Sequence, residues 1–133
     1  MRPKHLAIEL SKLLPHPCSS VELEQYSTEG DLAAYWILGI DQVDTVEGKR
    51  VLDLGAGNGI LGFGCLLLGA QHVTLVESDV QAVERIEADA ERLSSRCDGE
   101  IEIIHEHISL RSEKPTITPC LLYTSDAADE KYR

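Results

Sequence analysis

No run of roughly 18 apolar residues occurs in this 133-residue sequence, so no transmembrane helix is expected. The N-terminus, Met1-Arg2-Pro3-Lys4-His5, opens an amphipathic pattern instead of the continuous apolar stretch of a signal peptide, which argues against secretion. Cys-x-x-Cys spacing is also missing. Cys18, Cys65, Cys97 and Cys120 lie scattered, as the reduced thiols of a cytoplasmic protein do, and indicate neither zinc nor disulfides. Basic charge is scarce: Lys and Arg number 12 against 23 Asp and Glu, a net charge of −11. Phosphate contacts need Lys and Arg, so this segment alone is not built to hold nucleic acid. Large aromatics are few, with one Trp and one Phe, yet 43% of residues are hydrophobic, enough for the core of one domain.

The patterning is that of an α/β chain. Leu6, Leu10, Leu13 and Leu14 fall at helical spacing over residues 3–14, and Pro15-His16-Pro17 ends that helix. Thr28, with Asp31 three residues later, reads as a capping box for a helix over 29–39, with Leu32, Trp36, Ile37 and Ile40 inward. Strands are expected at 50–54, 73–77 and 101–104, alternating with helices at 60–68, closed by Gly69, and 79–95, opened by Asp79. Strands alternating with helices predict right-handed βαβ units and a parallel sheet. The acidic run from Glu84 to Glu91 reads as a solvated helix face. His105 and His107 share a strand face, but an isolated His-x-His is an ordinary polar edge and no metal site is expected.

The chemistry concentrates at Val51-Leu52-Asp53-Leu54-Gly55-Ala56-Gly57-Asn58-Gly59. Glycines at alternate positions let the chain turn sharply and leave bare peptide for a ligand to lie against. Two readings compete. Gly57-Asn58-Gly59-Ile60-Leu61-Gly62 matches the dinucleotide pattern Gly-x-Gly-x-x-Gly, with Glu77 at the distance of a ribose-binding carboxylate. Asp53, at the strand end, is placed to meet an ammonium, and the crowded glycines suit a nucleoside with an amino-acid tail and no pyrophosphate. That favours S-adenosylmethionine (SAM). The stretch resembles the Asp-x-Gly-x-Gly-x-Gly loop of class I SAM-dependent methyltransferases.

A second segment narrows the resemblance. Leu23-Glu24-Gln25-Tyr26-Ser27-Thr28 ahead of the loop, and Leu67-Leu68-Gly69-Ala70 after it, are similar to the archaeal and eukaryotic small-subunit rRNA adenine-N6 methyltransferases, the methyltransferase-like protein five family. The resemblance covers residues 4 to 110. It implies a Rossmann-like fold with SAM as cofactor and RNA as substrate, and a small zinc-binding activator protein as partner. Gln25 and Thr28 would close over the methionine end, and Gly55, Gly57, Asn58 and Gly59 would line the loop above Ile60. Glu77 would take the two ribose hydroxyls, a task suited to its acceptor-only oxygens. His107 and Ile108 stand where the family has Asp and an apolar residue beside the adenine, so His107 is a departure. The plainer alternatives are a helix N-terminus for Gln25 and Thr28 and a solvated strand end for Glu77.

Family members carry Asn-Pro-Pro-Phe or Asn-Pro-Pro-Tyr after the fourth strand, where amide and carbonyl hold the adenine amine in line with the methyl group. A flipped-out or single-stranded adenine reaches such a pocket. This sequence contains no Asn-Pro. Cys120 to Glu130 instead resembles translated sequencing adaptor, which points to a cut gene. The expected organisation is therefore a helical segment over 1–48, a SAM-binding half-domain over 49–110, and a loop with an artefactual tail over 111–133. The fold expected is an incomplete class I methyltransferase: N-terminal helices and the first three parallel strands. In the class order 3-2-1-4-5-7-6 the first strand lies inside the sheet, so residues 51–54 are expected to present an unpaired apolar edge. Other activities consistent with the loop are methylation of a protein or small molecule, a non-catalytic SAM-binding module, and NAD-dependent oxidoreduction.

Overall fold

The computed structural model describes residues 1–15 and 30–107, and the backbone of 121–126. Helix α1 (Pro3–Ser11) and helix α2 (Gly30–Val43) precede strand β1 (Lys49–Leu54). Helix α3 (Ile60–Leu67), strand β2 (His72–Glu77), helix α4 (Val80–Ser94) and strand β3 (Glu100–His105) complete two βαβ units, and strand β4 (Leu121–Asp126) follows. The expected helices and strands of residues 3–105 are all present, displaced at their ends by no more than four residues. No helix among the described residues is long and apolar enough to cross a membrane.

The sheet runs β3-β2-β1-β4. β1 pairs parallel with β2, setting Val51 beside Val73 and Asp53 beside Leu75, and β2 pairs parallel with β3, setting Leu75 beside Ile103. Two right-handed crossovers in the same direction put α3 and α4 on one face of the sheet. α3 packs on β1 and β2, α4 on β2 and β3, and α1 and α2 pack on each other and on α3.

α3 is apolar all round, Ile-Leu-Gly-Phe-Gly-Cys-Leu-Leu, and residues 60–66 are buried, as such a helix must be. Two glycines allow it to sit this deep. A β-carbon on Gly62 would collide with Leu75 of β2, and one on Gly64 with Ile37 of α2. Gly62→Val is therefore expected to cost roughly 3 kcal/mol by overpacking. Thermal unfolding checks this, and an unchanged midpoint would mean that α3 stands farther from the sheet. α3 ends in a Schellman motif: Gly69 has φ of 96°, its N–H reaches the Leu66 carbonyl at 3.0 Å, and the Ala70 N–H reaches that of Cys65 at 3.0 Å.

Three expectations are corrected. α2 does not turn Leu32 and Trp36 inward; both are exposed, and the buried stripe is Ala33, Ala34 and Ile37. Small alanines let α2 approach its neighbours closely, which pushes the bulky residues outside. Trp36, Tyr35 and Val43 instead line a groove of about 950 Å³ between α1 and α2, none of whose lining residues belongs to the glycine loop. The run from Glu84 to Glu91 is not wholly solvated: Glu84 and Glu87 are exposed, whereas Asp89 is buried and accepts the Leu14 N–H at 2.9 Å.

The third correction concerns the sheet edge. The three parallel strands stand as expected, but β1 is not left open: among the described residues a fourth strand, β4, lies antiparallel along it from Lys49↔Asp126 to Leu54↔Leu121. An exposed row of backbone donors and acceptors accepts any extended segment of adequate β-propensity, and Leu-Leu-Tyr-Thr is one. The pairing is indifferent to where the hexapeptide came from.

Candidate cofactor site

The glycine loop is sewn to the end of β2. The N–H groups of Gly55 and Ala56 both reach the Val76 carbonyl at 2.9 Å, and the Gly57 N–H reaches Glu77 Oε1 at 2.9 Å. Gly55, Gly57 and Gly59 have φ of 71°, 60° and 82°. At Gly59 the left-handed backbone opens α3, and a β-carbon there would lie 2.6 Å from the Phe63 ring. The loop thus sits at the carboxyl ends of parallel strands, the end at which open α/β sheets bind ligands.

Glu77 is buried, which overturns its reading as a solvated strand end. Its carboxylate accepts three backbone N–H groups: Gly57 on Oε1, and Ser78 and Asp79 on Oε2, each at 2.9 Å. Asp79 in turn caps α4 by accepting the Gln81 N–H at 2.9 Å. One side chain therefore joins the glycine loop to the β2–α4 turn.

Asp53 lies beneath the loop with no exposed surface. Its Oδ2 accepts the Gly62 N–H at 3.0 Å, and its Oδ1 has no partner among the described residues. The ammonium contact expected of it is not what this placement offers, because α3 closes over the carboxyl. Burial pushes its pKa up to about 7, against the pull of the Gly62 N–H and with further help from the Glu77 charge. The folded protein therefore holds a proton that the unfolded chain releases near pH 4. Stability is expected to fall as pH rises from about 4 to about 7, by at most ~1.4 kcal/mol per unit from this group, and to level off above. Asp53→Asn flattens that slope if the assignment holds, and thermal unfolding across the same range reads it. Burial likewise raises the Cys65 thiol to about 12, which leaves it inert.

Asn58 uses its side chain internally: Nδ2 donates to the Leu14 carbonyl at 3.1 Å, and Oδ1 accepts the Ile60 N–H at 3.3 Å. Ile60 is part of the core. His107 is exposed two residues past β3, at the same end of the sheet, where the Glu106 N–H reaches the Glu77 carbonyl at 3.1 Å. Gln25, Thr28 and Ile108 lie outside the described residues. Among the described residues no cluster could hold a metal ion. Sequence reasoning missed Leu14, Arg85 and Asp89, which meet beside Asn58; Pro15, ending α1, is the one local signal at that place.

The sequence profile of Conserved hypothetical protein 95 matches residues 34–117. A candidate RNA methyltransferase of known structure, PH1948 from Pyrococcus horikoshii, is 41% identical with a TM-score of 0.67, over 78% of this chain and 50% of that one. The uncharacterized protein MJ0284 of Methanocaldococcus jannaschii is 33% identical over 94 residues, 71% of this chain and 42% of the relative. The ribosomal protein L11 methyltransferase of Marinobacter nauticus is 48% identical over 61 residues, 46% of this chain and 19% of the relative. The chain thus spans half or less of the length of these relatives.

The parallel β3-β2-β1 sheet, the glycine loop and the buried strand-end glutamate define the Rossmann-like α/β fold of class I methyltransferases. Within that class, the chain belongs to the Conserved hypothetical protein 95 family.

Proposed function

We propose that this chain is the SAM-binding N-terminal half of an RNA adenine-N6 methyltransferase. The observation that carries the reading is the glycine loop, tied by its Gly57 N–H to Glu77 at the carboxyl ends of parallel strands. The loop residues fit SAM. Gly55 and Gly57 present bare peptide in left-handed backbone, whereas Gly59 turns the chain into α3 against the Phe63 ring. Glu77 fits in part as the ribose acceptor: its two carboxylate oxygens offer about four acceptor positions, backbone N–H groups occupy three, and one is left for a ribose hydroxyl. Asp53 fits less well as a direct contact and supports the loop through α3 instead.

SAM supplies a methyl group activated by its sulfonium, with no need of a metal. The chain's own residues would bind and orient: Glu77 would take a ribose hydroxyl while holding the loop, and the resemblance would assign Gln25 and Thr28 to the methionine end and Ile108 to the adenine, with His107 standing where the family has Asp. The resemblance of Leu23 to Thr28 favours adenine in RNA, and the 41% identity to PH1948 supports an RNA substrate. The identity to L11 methyltransferases favours a second reading, methylation of a ribosomal protein. The small zinc-binding activator belongs to the first reading, and co-purification with such a protein tests it.

Calorimetric titration of the chain with SAM, S-adenosylhomocysteine and NAD tests the cofactor. Binding of the first two and not the third is expected; binding of NAD alone overturns the reading. Mass spectrometry of RNA incubated with the whole-length protein and SAM is expected to find N6-methyladenosine. Methyl transfer to protein in its place would establish the second reading.

A further inference from the structure

Pro15 disfavours the helical conformation for Leu14 and ends α1, leaving the Leu14 N–H and carbonyl without helical partners. Three side chains take them up with the next carbonyl. Asp89 Oδ2 accepts the Leu14 N–H at 2.9 Å, Asn58 Nδ2 donates to the Leu14 carbonyl at 3.1 Å, and Arg85 donates to the Pro15 carbonyl at 2.7 Å. Asp89 is buried, and its Oδ1 is held by Arg92 at 3.4 Å. Arg85 and Asp89 stand one turn apart on α4, so a single helix face grips a two-residue stretch of backbone. The third grip, Asn58, is itself part of the glycine loop, and its Oδ1 accepts the N–H of the first residue of α3.

We propose that Arg85 and Asp89 are positioning residues for the cofactor: through the Leu14–Pro15 backbone and Asn58 they clasp the glycine loop in its binding form. The inference rests on the SAM-binding reading for its consequence, but its geometry does not depend on that reading. Asp89 divides its carboxylate: Oδ1 pairs with Arg92 within α4, and Oδ2 is aimed at a backbone N–H 75 residues away in sequence, a contact that α4 itself does not need. The clasp also ties the residues after α1 to both α4 and Asn58, so movement of either helix reaches the loop.

Amide hydrogen exchange of the ligand-free full chain, followed at residues 55–62, tests the clasp, and calorimetric titration with S-adenosylhomocysteine tests its consequence. Asp89→Ala is expected to speed loop exchange roughly 10-fold, the loss of a hydrogen bond to a charged group, and Asp89→Asn to restore part of it. Arg85→Gln, at a solvent-exposed bond, keeps the fold and is expected to speed exchange roughly 3-fold. Both weaken cofactor binding, and in a double-mutant cycle Asp89→Ala and Asn58→Ala are less than additive, because they release the same residue. Faster exchange confined to α4, or additive losses of affinity, would overturn the proposal and leave Asp89 a structural residue. If the unaltered chain binds no S-adenosylhomocysteine, the cofactor reading fails, and loop exchange still decides the clasp.

Discussion

Glu77→Ala is expected to abolish cofactor binding and to destabilise the fold by roughly 3 kcal/mol. Three backbone N–H groups, from Gly57, Ser78 and Asp79, lose one acceptor at once. Gly57 belongs to the loop, and Ser78 and Asp79 open α4, so the loss loosens both the loop and the start of α4. Glu77→Gln separates the two effects. Its amide oxygen can still serve Ser78 and Asp79, while its amino group turns a donor toward the Gly57 N–H. The glutamine variant is therefore expected to unfold within a few degrees of the unaltered protein yet bind S-adenosylhomocysteine at least ~10-fold more weakly. Calorimetry beside thermal unfolding reads both. Full affinity in the glutamine variant would mean that the carboxylate serves the backbone alone.

Glu77 also shows where the sequence was legible. Its position at the end of β2, 20 residues beyond Gly57, singles it out as the carboxylate beside the glycine loop, and that spacing is visible because it comes from one βαβ unit. The contacts that bury it are backbone N–H groups, which every residue carries and no sequence distinguishes. Asp53 is similar: it reads as a ligand group from its place before Gly55, but whether α3 closes over it depends on Gly62 approaching β2. The apolar periodicity of α4 and the continuous apolar run of α3 carried the fold, and those elements came out within a residue or two. α2 did not come out in the same way. Periodicity favoured the largest apolar side chains as the inward face, whereas close packing against α1 and α3 selected Ala33 and Ala34. Asp89 was read with its acidic neighbours because its partner, the Leu14 N–H, lies 75 positions away. Local charge pattern carries no record of such a contact.

A chain ended at Pro119 is expected to lose its solution behaviour, because β4 then no longer covers β1. β1 lies between β2 and β4, with Val51 and Asp53 buried and its other edge paired over six residues to Leu121–Asp126. Removing six paired residues at roughly 0.5 kcal/mol of net hydrogen bonding each takes away about 3 kcal/mol. For a domain of this size that lowers the unfolding midpoint by about 10 °C. The larger consequence is kinetic, since the bared edge of a strand rich in Val and Leu pairs with its counterpart in another copy. Size-exclusion chromatography with light scattering is expected to show oligomers and aggregate for residues 1–119 and monomer for residues 1–133. Replacing 121–126 by a Gly-Ser hexapeptide should resemble the deletion, whereas a Thr-Val hexapeptide should restore the monomer, since the pairing needs extended backbone and not these side chains. A monomeric 1–119 chain with a sharp, reversible transition would show that β1 closes its own edge. The antiparallel direction of β4 carries the argument further: class I order places a fourth strand parallel to the first, so the hexapeptide occupies the position without reproducing the connection. In the whole-length protein a parallel strand is expected there, bringing the residues that follow it to the same end of the sheet as Gly57 and Glu77.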